Sequence, residues 1–217
     1  RLFGNCDSKV SAVGVSSRPR MGEDSYMPCF LAGKLAAYAF AAAGNVPVYE
    51  TSHQTGHILA ALYCTNQLEL VNERFVAFHI SGGTTDILMC CPSDNIIDIV
   101  RVGGSNDLNA GQAIDRTGVM LGISFPCGRE LSSLAEKSSE TFKIKPSVKG
   151  LECSFSGLEN KTSKMLSNGF DSYDIARFCI DYIYHTIREL TLTVRREFGQ
   201  IPLIFAGGVM SNNFIRK

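Results

Sequence analysis

Two histidines stand four residues apart in the segment Thr51-Ser52-His53-Gln54-Thr55-Gly56-His57. Residues four apart on a helix lie on one face, so His53 and His57 could direct two imidazoles at one metal ion. The same pattern fits a polar helix start with two exposed histidines, and both interpretations stay open. Gln54 stands where a zinc metalloprotease of the H-E-x-x-H type has its general-base glutamate, so the segment does not carry that protease motif.

His79 is a third candidate metal ligand. It lies two residues before Ser81, at the end of an apolar run, where an imidazole without a hydrogen bond would be costly. Three of the four histidines in the chain would then converge on one cation. The fourth, His185, lies in a long helical segment and is interpreted as a packed or surface residue.

Two glycine-containing turns could hold a phosphate or a nucleotide. The glycines of Ser81-Gly82-Gly83-Thr84-Thr85, between two apolar runs, would let backbone N–H groups point at a phosphate. A Gly-Gly turn is also common in simple hairpins. The segment Phe205-Ala206-Gly207-Gly208 runs from a buried strand into a helix start, where a nucleotide can approach the backbone. Ser211 or Asn212 could instead be an N-cap of that helix.

Three further segments suggest walls of a binding site. Asp115, in Gly111-Gln112-Ala113-Ile114-Asp115-Arg116, could accept hydrogen bonds from ribose hydroxyls or form a surface ion pair. Phe125-Pro126-Cys127-Gly128 predicts a sharp turn beside a pocket. Ser154-Phe155-Ser156-Gly157-Leu158 predicts a serine-rich helix entry, but the chain has no Gly-x-Ser-x-Gly elbow and so gives a serine nucleophile little support.

The elements that must position these residues follow a mixed α/β pattern. Hydrophobic periodicity and turn signals predict strands at residues 10–15, 46–49, 75–80, 86–91, 96–102 and 201–206. They predict helices at residues 30–43, 53–68, 107–121, 129–137, 158–166 and 173–198. Gly44 and Gly199 are the predicted ends of two of these helices, and a last turn into a helix follows Gly208.

The composition is that of an ordinary globular protein. Its 217 residues are 45% hydrophobic and 19% charged, which excludes a disordered or collagen-like chain. Lys+Arg and Asp+Glu each total 21, so the formal net charge is zero. A net charge of zero argues against nucleic-acid binding through overall charge but leaves room for a local basic face. The longest apolar stretch, residues 29–43, is too short and polar to span a bilayer. The eight cysteines contain no C-x-x-C pair and are interpreted as reduced core residues of a cytosolic protein.

The order of these motifs, from about Val10 to Lys217, resembles the tRNA threonylcarbamoyladenosine synthase family, formerly called O-sialoglycoprotein endopeptidases or glycoproteases. The paired histidines and the closing Ala-Gly-Gly-Val-x-x-Asn-x-x-Ile-Arg are its most specific parts. The resemblance implies an actin-like, sugar-kinase-like (ASKHA) ATPase fold of two lobes with a central nucleotide cleft. Residues 1–72 would be the remainder of the first lobe and residues 73–217 an incomplete second lobe, so both ends are expected to be truncated.

The resemblance also implies an activity. Such enzymes transfer a threonylcarbamoyl group from its adenylate to the exocyclic amine of the adenosine beside the tRNA anticodon. They use a divalent metal, zinc or iron, together with ATP or the acyl-adenylate. Their partners are tRNA, a second ASKHA-fold protein and a small ATPase. The resemblance implies a cytoplasmic location and no membrane partner. Peptidase activity is not expected.

The family's binding residues can be placed on this sequence by the same resemblance. His53 and His57 match the metal-binding pair, and His79 stands where some members have a metal-coordinating tyrosine, for which imidazole is a reasonable exchange. No catalytic residue is named by the resemblance. The residues that match nucleotide-binding positions are Ser81, Gly82, Gly83, Thr85, Asp115, Gly128, Gly207, Gly208 and Asn212.

Several departures from the family pattern weaken the inference of activity. The opening acidic strand lies outside this chain, and Arg18-Pro19-Arg20 replaces the usual Gly-Pro-Gly loop. Gln112 stands where a glutamate is usual, and Glu159 where a lysine is usual. An alternative is therefore a divergent, catalytically impaired nucleotide-binding paralogue that acts as a partner or scaffold protein.

Overall fold

The computed structural model of the chain describes residues 9–21, 25–94 and 96–216. By its internal contacts the chain divides into two compact units. The first unit is the chain up to Leu68 together with Pro92–Ile99, and the second is Glu69–Cys91 together with the chain from Val100 onward. The candidate metal pair belongs to the first unit, and all the nucleotide candidates belong to the second.

A two-stranded parallel sheet and two helices form most of the first unit. Strand β1 (Val13–Arg18) pairs with β2 (Val48–Ser52), and helix α1 (Cys29–Gly44) supplies the crossover that a parallel pair requires. Helix α2 (His53–Cys64) begins at the residue after β2. The end of β2 therefore fixes the position of His53.

Helix α1 ends one residue later than the sequence suggests. Gly44, the predicted stop, is still helical, and Asn45 takes the left-handed conformation, with a φ of 49°, that closes the helix. The Asn45 N–H donates to the carbonyl oxygens of Ala41 and Ala42. Asparagine tolerates this conformation because its short polar side chain can hydrogen-bond locally.

The second unit is built on a six-stranded sheet. Its strand order is β6-β7-β5-β4-β3-β8, with β3 antiparallel to β4 and parallel to β8. The predicted antiparallel hairpin around the Ser81 turn is confirmed. The strands are β3 (Phe75–Ile80), β4 (Thr85–Ser93), β5 (Ile96–Ser105), β6 (Ser147–Lys149), β7 (Glu152–Ser154) and β8 (Leu203–Ala206).

Four helices pack around this sheet, and strand β3, the neighbour of the edge strand β8, is buried along its whole length. The apolar face predicted on the longest helix is buried, with Ile183 and Val194 fully so. None of the helices in the described residues is long and apolar enough to cross a membrane. The helices are α3 (Ala110–Met120), α4 (Gly128–Ala135), α5 (Ser156–Ser167) and α6 (Ser172–Phe198).

Some predicted boundaries are wrong, and one hairpin was not predicted. Helix α3 starts at residue 110 rather than 107, and α2 ends at residue 64, after which a 3₁₀ helix covers Leu68–Asn72. The turn after β8 is a short 3₁₀ helix, Gly208–Ser211. Strands β6 and β7 were missed because three residues each are too few to show an alternating pattern.

The seven described cysteines are free thiols, as predicted, and Cys6 lies outside the described residues. Their placement in the core is only partly as predicted, because Cys29 and Cys64 are exposed. Burial raises the pKa of the Cys90, Cys153 and Cys179 thiols to about 12. Those three are neutral at physiological pH and behave as small core side chains.

Candidate functional site

The start of α2 is fixed by three hydrogen bonds. Ser52 is the N-cap, and its Oγ accepts the Thr55 backbone N–H at 3.0 Å and lies 2.8 Å from Thr55 Oγ1. The Gln54 N–H donates to the Pro19 carbonyl oxygen, also at 3.0 Å. These bonds satisfy helix N–H groups that would otherwise have no partner. They also hold the first turn of α2, which begins with His53 and directly precedes His57.

His53 and His57 lie on successive turns of α2, with their rings next to one another. Their Nε2 atoms are 3.0 Å apart, and the ring centroids are 4.4 Å apart. Two nitrogens bound to one tetrahedral zinc ion at about 2.0–2.1 Å would be about 3.4 Å apart. A small rotation of either ring reaches that spacing, so the two imidazoles fit one metal ion.

The surroundings of His57 favour the neutral imidazole that a metal requires. Partial burial, and then the neighbouring His53, lower the pKa of His57. The Phe30 ring lies 5.8 Å from the His53 ring, edge to face. Metal ions bind neutral histidine in competition with protons, so a lowered pKa extends binding toward lower pH.

His79 lies in the second unit, near the carboxyl end of β3. Its side chain is 8% exposed, and its partners in the strand register are Asp86 on β4 and Ala206 on β8. In the part of the chain that the structure describes, no three His, Cys, Asp or Glu side chains form a group that could hold a metal ion. The structure thus brings His53 and His57 together, while the role of His79 stays a prediction.

The predicted phosphate loop, Ser81–Thr85, joins β3 to β4 and contacts the start of α3. The Ser81 N–H donates to the Thr84 carbonyl oxygen at 2.7 Å, which closes the turn. The Ser81 carbonyl oxygen accepts the Gly111 N–H at 3.2 Å. A side chain on Gly111 would place a Cβ 2.6 Å from the Gly82 Cα, so this close approach requires glycine.

Within that loop, Thr85 and the two glycines have different surroundings. Thr85 is 4% exposed, and its Oγ1 accepts the Ala110 N–H, the first of α3, at 2.9 Å. Gly82 and Gly83 are exposed, with open space where a side chain would be. The glycine backbone is therefore accessible to a ligand, while Thr85 fixes the loop to the helix.

The loop after β8 lies at the same edge of the sheet. Because β8 runs parallel to β3, with Ala206 opposite His79, both strands end at that edge. Gly207 has a φ of 104°, and a Cβ there would collide with the Ile80 carbonyl oxygen. The loop after β8 therefore begins beside Ile80, the residue that precedes the Ser81 turn.

A cavity of about 410 Å³ opens between α4 and the loop after β8. Its lining includes Gly128, Gly208 and Asn212, three of the predicted nucleotide residues, together with Ile114. This volume lies within the range of about 300–1,000 Å³ that is usual for small-molecule sites. The cavity is large enough to hold a flat ring.

Asn212 connects the two walls of this cavity. Its Nδ2 donates to Ser132 Oγ at 2.6 Å, and Ser132 Oγ donates to the Gly128 carbonyl oxygen, also at 2.6 Å. Its Oδ1 accepts the Phe214 N–H at 2.8 Å, which is the bond an N-cap makes. Asn212 therefore caps the following turn and also holds that turn against α4.

Asp115 lies on α3 and supports the turn that leads into α4. Its Oδ1 accepts the Cys127 N–H at 2.9 Å, so one carboxylate oxygen is already used within the protein. The Phe125–Pro126 bond in this turn is cis. Any ribose contact by Asp115 would use the remaining capacity of the carboxylate.

Local contacts accommodate two of the departures from the family pattern. Gln112 Oε1 accepts the Asn109 N–H at 3.0 Å and completes a capping box at the start of α3, a role an amide performs as well as a carboxylate. Glu159 pairs with Arg116 at 2.8 Å, so its negative charge has a local partner. Both residues contribute to the structure where they stand.

Asp107 was not predicted as part of the site. Its carboxylate accepts hydrogen bonds from Ser154 Oγ, from the Phe155 N–H at 2.8 Å and from the Ser156 N–H at 3.0 Å. Burial alone would raise the pKa of Asp107, but hydrogen bonds, led by those from Ser154 and Ser156, hold it well below its usual range. Asp107 therefore caps α5 from a distant part of the chain, a contact that sequence spacing does not reveal.

The family suggested by the sequence is supported by a direct match. The family model TsaD, described as tRNA N6-adenosine threonylcarbamoyltransferase, matches residues 10–217. Proteins of that name from Limosilactobacillus reuteri (strain DSM 20016) and Streptococcus pyogenes (strain Manfredo) are 31% and 30% identical to this chain. The matches cover 95% and 96% of this chain, which spans 60% of the length of each relative.

Two solved structures are similar in fold. A full-length HypF in its phosphate- and nucleotide-bound form has a TM-score of 0.66 at 14% identity, over 97% of this chain and 41% of that one. The T. kodakarensis HypF has a TM-score of 0.62 at 13% identity, over 85% of this chain and 34% of that one. With the family match, they confirm the predicted α/β fold of the ASKHA class.

We expect Asp107→Ala to lower the free energy of unfolding by about 1–2 kcal/mol at pH 7, because α5 loses its cap. The lowered pKa of Asp107 means that its contribution is complete above the unfolded value, about 3.9, and decreases below it. The difference from wild type should thus shrink at pH 3 in urea titrations. Asp98→Ala, at an exposed aspartate of β5, is the control. A difference that stayed the same at both pH values would contradict this assignment.

Proposed function

This chain belongs to the TsaD family, and from that membership we propose that it acts in threonylcarbamoyl transfer to tRNA. In the proposed reaction, the group moves from its adenylate to the N6 amine of an adenosine in the tRNA. Because the chain spans 60% of the length of its relatives, the activity of the whole protein is part of the proposal.

One observation carries this proposal: the loops after β3 and β8 meet at one edge of the sheet. Ligands of open α/β sheets bind outside the carboxyl ends of the strands, where loops and helix starts present backbone N–H groups. The start of α3 contacts the first loop, and the cavity beside Asn212 adjoins the second. A nucleotide can contact both loops from this edge.

We assign the nucleotide contacts accordingly. The exposed backbone of Gly82 and Gly83 would bind phosphate oxygens, with Ser81 at the edge of the loop. Gly128, Gly208 and Asn212 would surround the adenine ring, since they line the cavity. Asp115 would accept a ribose hydroxyl. Thr85 and Gly207 would act on the loops themselves, because one is bonded to α3 and the other is packed on β3.

The metal assignment rests on other residues than the nucleotide assignment. His53 and His57 would hold a divalent cation, zinc or iron, with His79 as the remaining candidate ligand. Imidazole suits both metals. When bound, the cation would supply Lewis-acid polarisation of a carbonyl or carboxyl oxygen. The chain's own part is to hold the two Nε2 atoms on one side of α2, at the present 3.0 Å.

The remaining elements of the proposal follow from the substrate. The proposed location is the cytoplasm, and the free thiols of the described cysteines suit a reducing compartment. The proposed partners are a second ASKHA-fold protein and a small ATPase, with ATP or the acyl-adenylate as the bound nucleotide. Peptidase activity forms no part of the proposal.

Replacing both histidines, in His53→Ala/His57→Ala, should reduce bound zinc or iron by at least about tenfold, since changes even in outer-shell partners cost 10–100-fold in metal affinity. Elemental analysis after metal loading measures this directly. His185→Ala, at a histidine of α6, is the matched control and should keep the wild-type metal content. Equal metal in the double variant and in wild type would reject the site.

The reaction itself can be tested with purified tRNA and threonylcarbamoyl adenylate. We expect mass spectrometry of the digested tRNA to show the threonylcarbamoyl adduct on adenosine, formed by wild type and by His185→Ala. Formation should fall at least about tenfold in the double histidine variant, because the cation contributes to the transition state. Nucleotide binding without any adduct, in the presence of the proposed partners, would contradict the transferase assignment.

A further inference from the structure

Arg101 lies at the junction of three strands behind the phosphate loop. Its Nε donates to Asp86 Oδ1 at 2.9 Å, and its Nη1 and Nη2 each donate to one carboxylate oxygen of Glu152 at 3.1 Å. These residues come from β5, β4 and β7. One guanidinium therefore connects three strands, and its contact with Glu152 joins residues 51 positions apart in the chain.

The geometry of these pairs makes Arg101 difficult to replace. A planar guanidinium matches a carboxylate through two parallel hydrogen bonds, which a lysine cannot reproduce. The Asp86 side chain is 9% exposed, whereas those of Arg101 and Glu152 are 35% and 34% exposed, so the carboxylate of Asp86 is the shielded member of this group. Removal of one partner of a buried pair leaves a charge that is costly to bury.

Asp86 connects the ion pairs of Arg101 to the phosphate loop. It directly follows Thr85, whose hydroxyl accepts the Ala110 N–H, and Gly111 bonds to the Ser81 carbonyl oxygen. The backbone of β5 also lies close to the end of the loop, because a Cβ on Gly104 would collide with the Thr85 carbonyl oxygen. The loop is therefore held between α3 and the strands that Arg101 joins.

We propose that Arg101 is a positioning residue for the Ser81–Thr85 loop, acting through Asp86 to hold the loop in the conformation that binds a nucleotide's phosphates. The inference rests on the proposed function for the identity of the ligand. The positioning itself rests on the contacts of Arg101, Asp86 and Glu152. Only the binding of the ligand's phosphates would then depend on Arg101, and the binding of its adenosine part would not.

The first test compares ATP with adenosine by calorimetry. Arg101→Ala should weaken ATP binding by about tenfold, within the usual 5–150-fold range for coupling between separate positions. Adenosine, which has no phosphate, should bind as it does to wild type. Arg101→Lys should recover part of the ATP affinity, because lysine keeps the positive charge but cannot make the two parallel hydrogen bonds of the guanidinium. An equal loss for both ligands would overturn the proposal, since it would indicate general damage.

The second test needs no ligand. Amide hydrogen exchange at Ala110 and Gly111, the two N–H groups that hold the loop, should be about tenfold faster in Arg101→Ala. The matched control is Arg116→Ala, which breaks an exposed pair with Glu159 and should leave both amides unchanged. If Arg101→Ala fails to fold, Glu152→Gln removes part of the same network and should give a smaller change in the same direction. Unchanged exchange in both variants would overturn the proposal.

The two tests separate this inference from the proposed function. If wild type binds neither ATP nor the acyl-adenylate, the proposed function fails, and the exchange rates at Ala110 and Gly111 still decide whether Arg101 positions the loop. If wild type binds ATP and Arg101→Ala changes neither the affinity nor the exchange rates, Arg101 has no positioning role, and that result does not count against the proposed function.

Discussion

Parallel pairing of β3 with β8 is the interaction on which the candidate nucleotide site depends. Both strands run toward the same edge, so the loops that begin at Ser81 and at Gly207 leave the sheet side by side. Gly207 can then pack against the Ile80 carbonyl oxygen. An antiparallel β8 would place its glycine turn at the opposite edge, and the residues assigned to phosphate and to adenine could not contact one ligand.

The start of α3 is the second constraint, and it also explains two departures from the family pattern. Gly111 lets the helix approach Gly82, and Gln112 completes the capping box that begins the helix there. Farther along, Arg116 pairs with Glu159 on α5. The alternative of an impaired paralogue rests on the Arg18 loop, Gln112 and Glu159, and the last two have structural roles that do not require a loss of function. Neither the fold nor the family match favours that alternative.

The sequence predicted the elements that have a local pattern. It did not predict the contacts between residues that are far apart in the chain. The hairpin around Ser81 and the long helix α6 carry clear local patterns, and both are confirmed. Asp107 looked like the first residue of a helix, yet its carboxylate caps α5, nearly fifty positions away. Arg101 and Glu152 give no signal in sequence, because their pairing depends on the parallel register of β5 and β7. The family resemblance supplied the site residues that local patterns alone left open.

The central claim is that one nucleotide contacts the loops after both β3 and β8. Backbone amide NMR during an ATP titration tests this most directly, because each glycine N–H reports separately. We predict that the resonances of Gly82 and Gly83 and those of Gly207 and Gly208 shift together and fit a single dissociation constant. Shifts confined to one loop, or two loops with clearly different dissociation constants, would contradict a shared site.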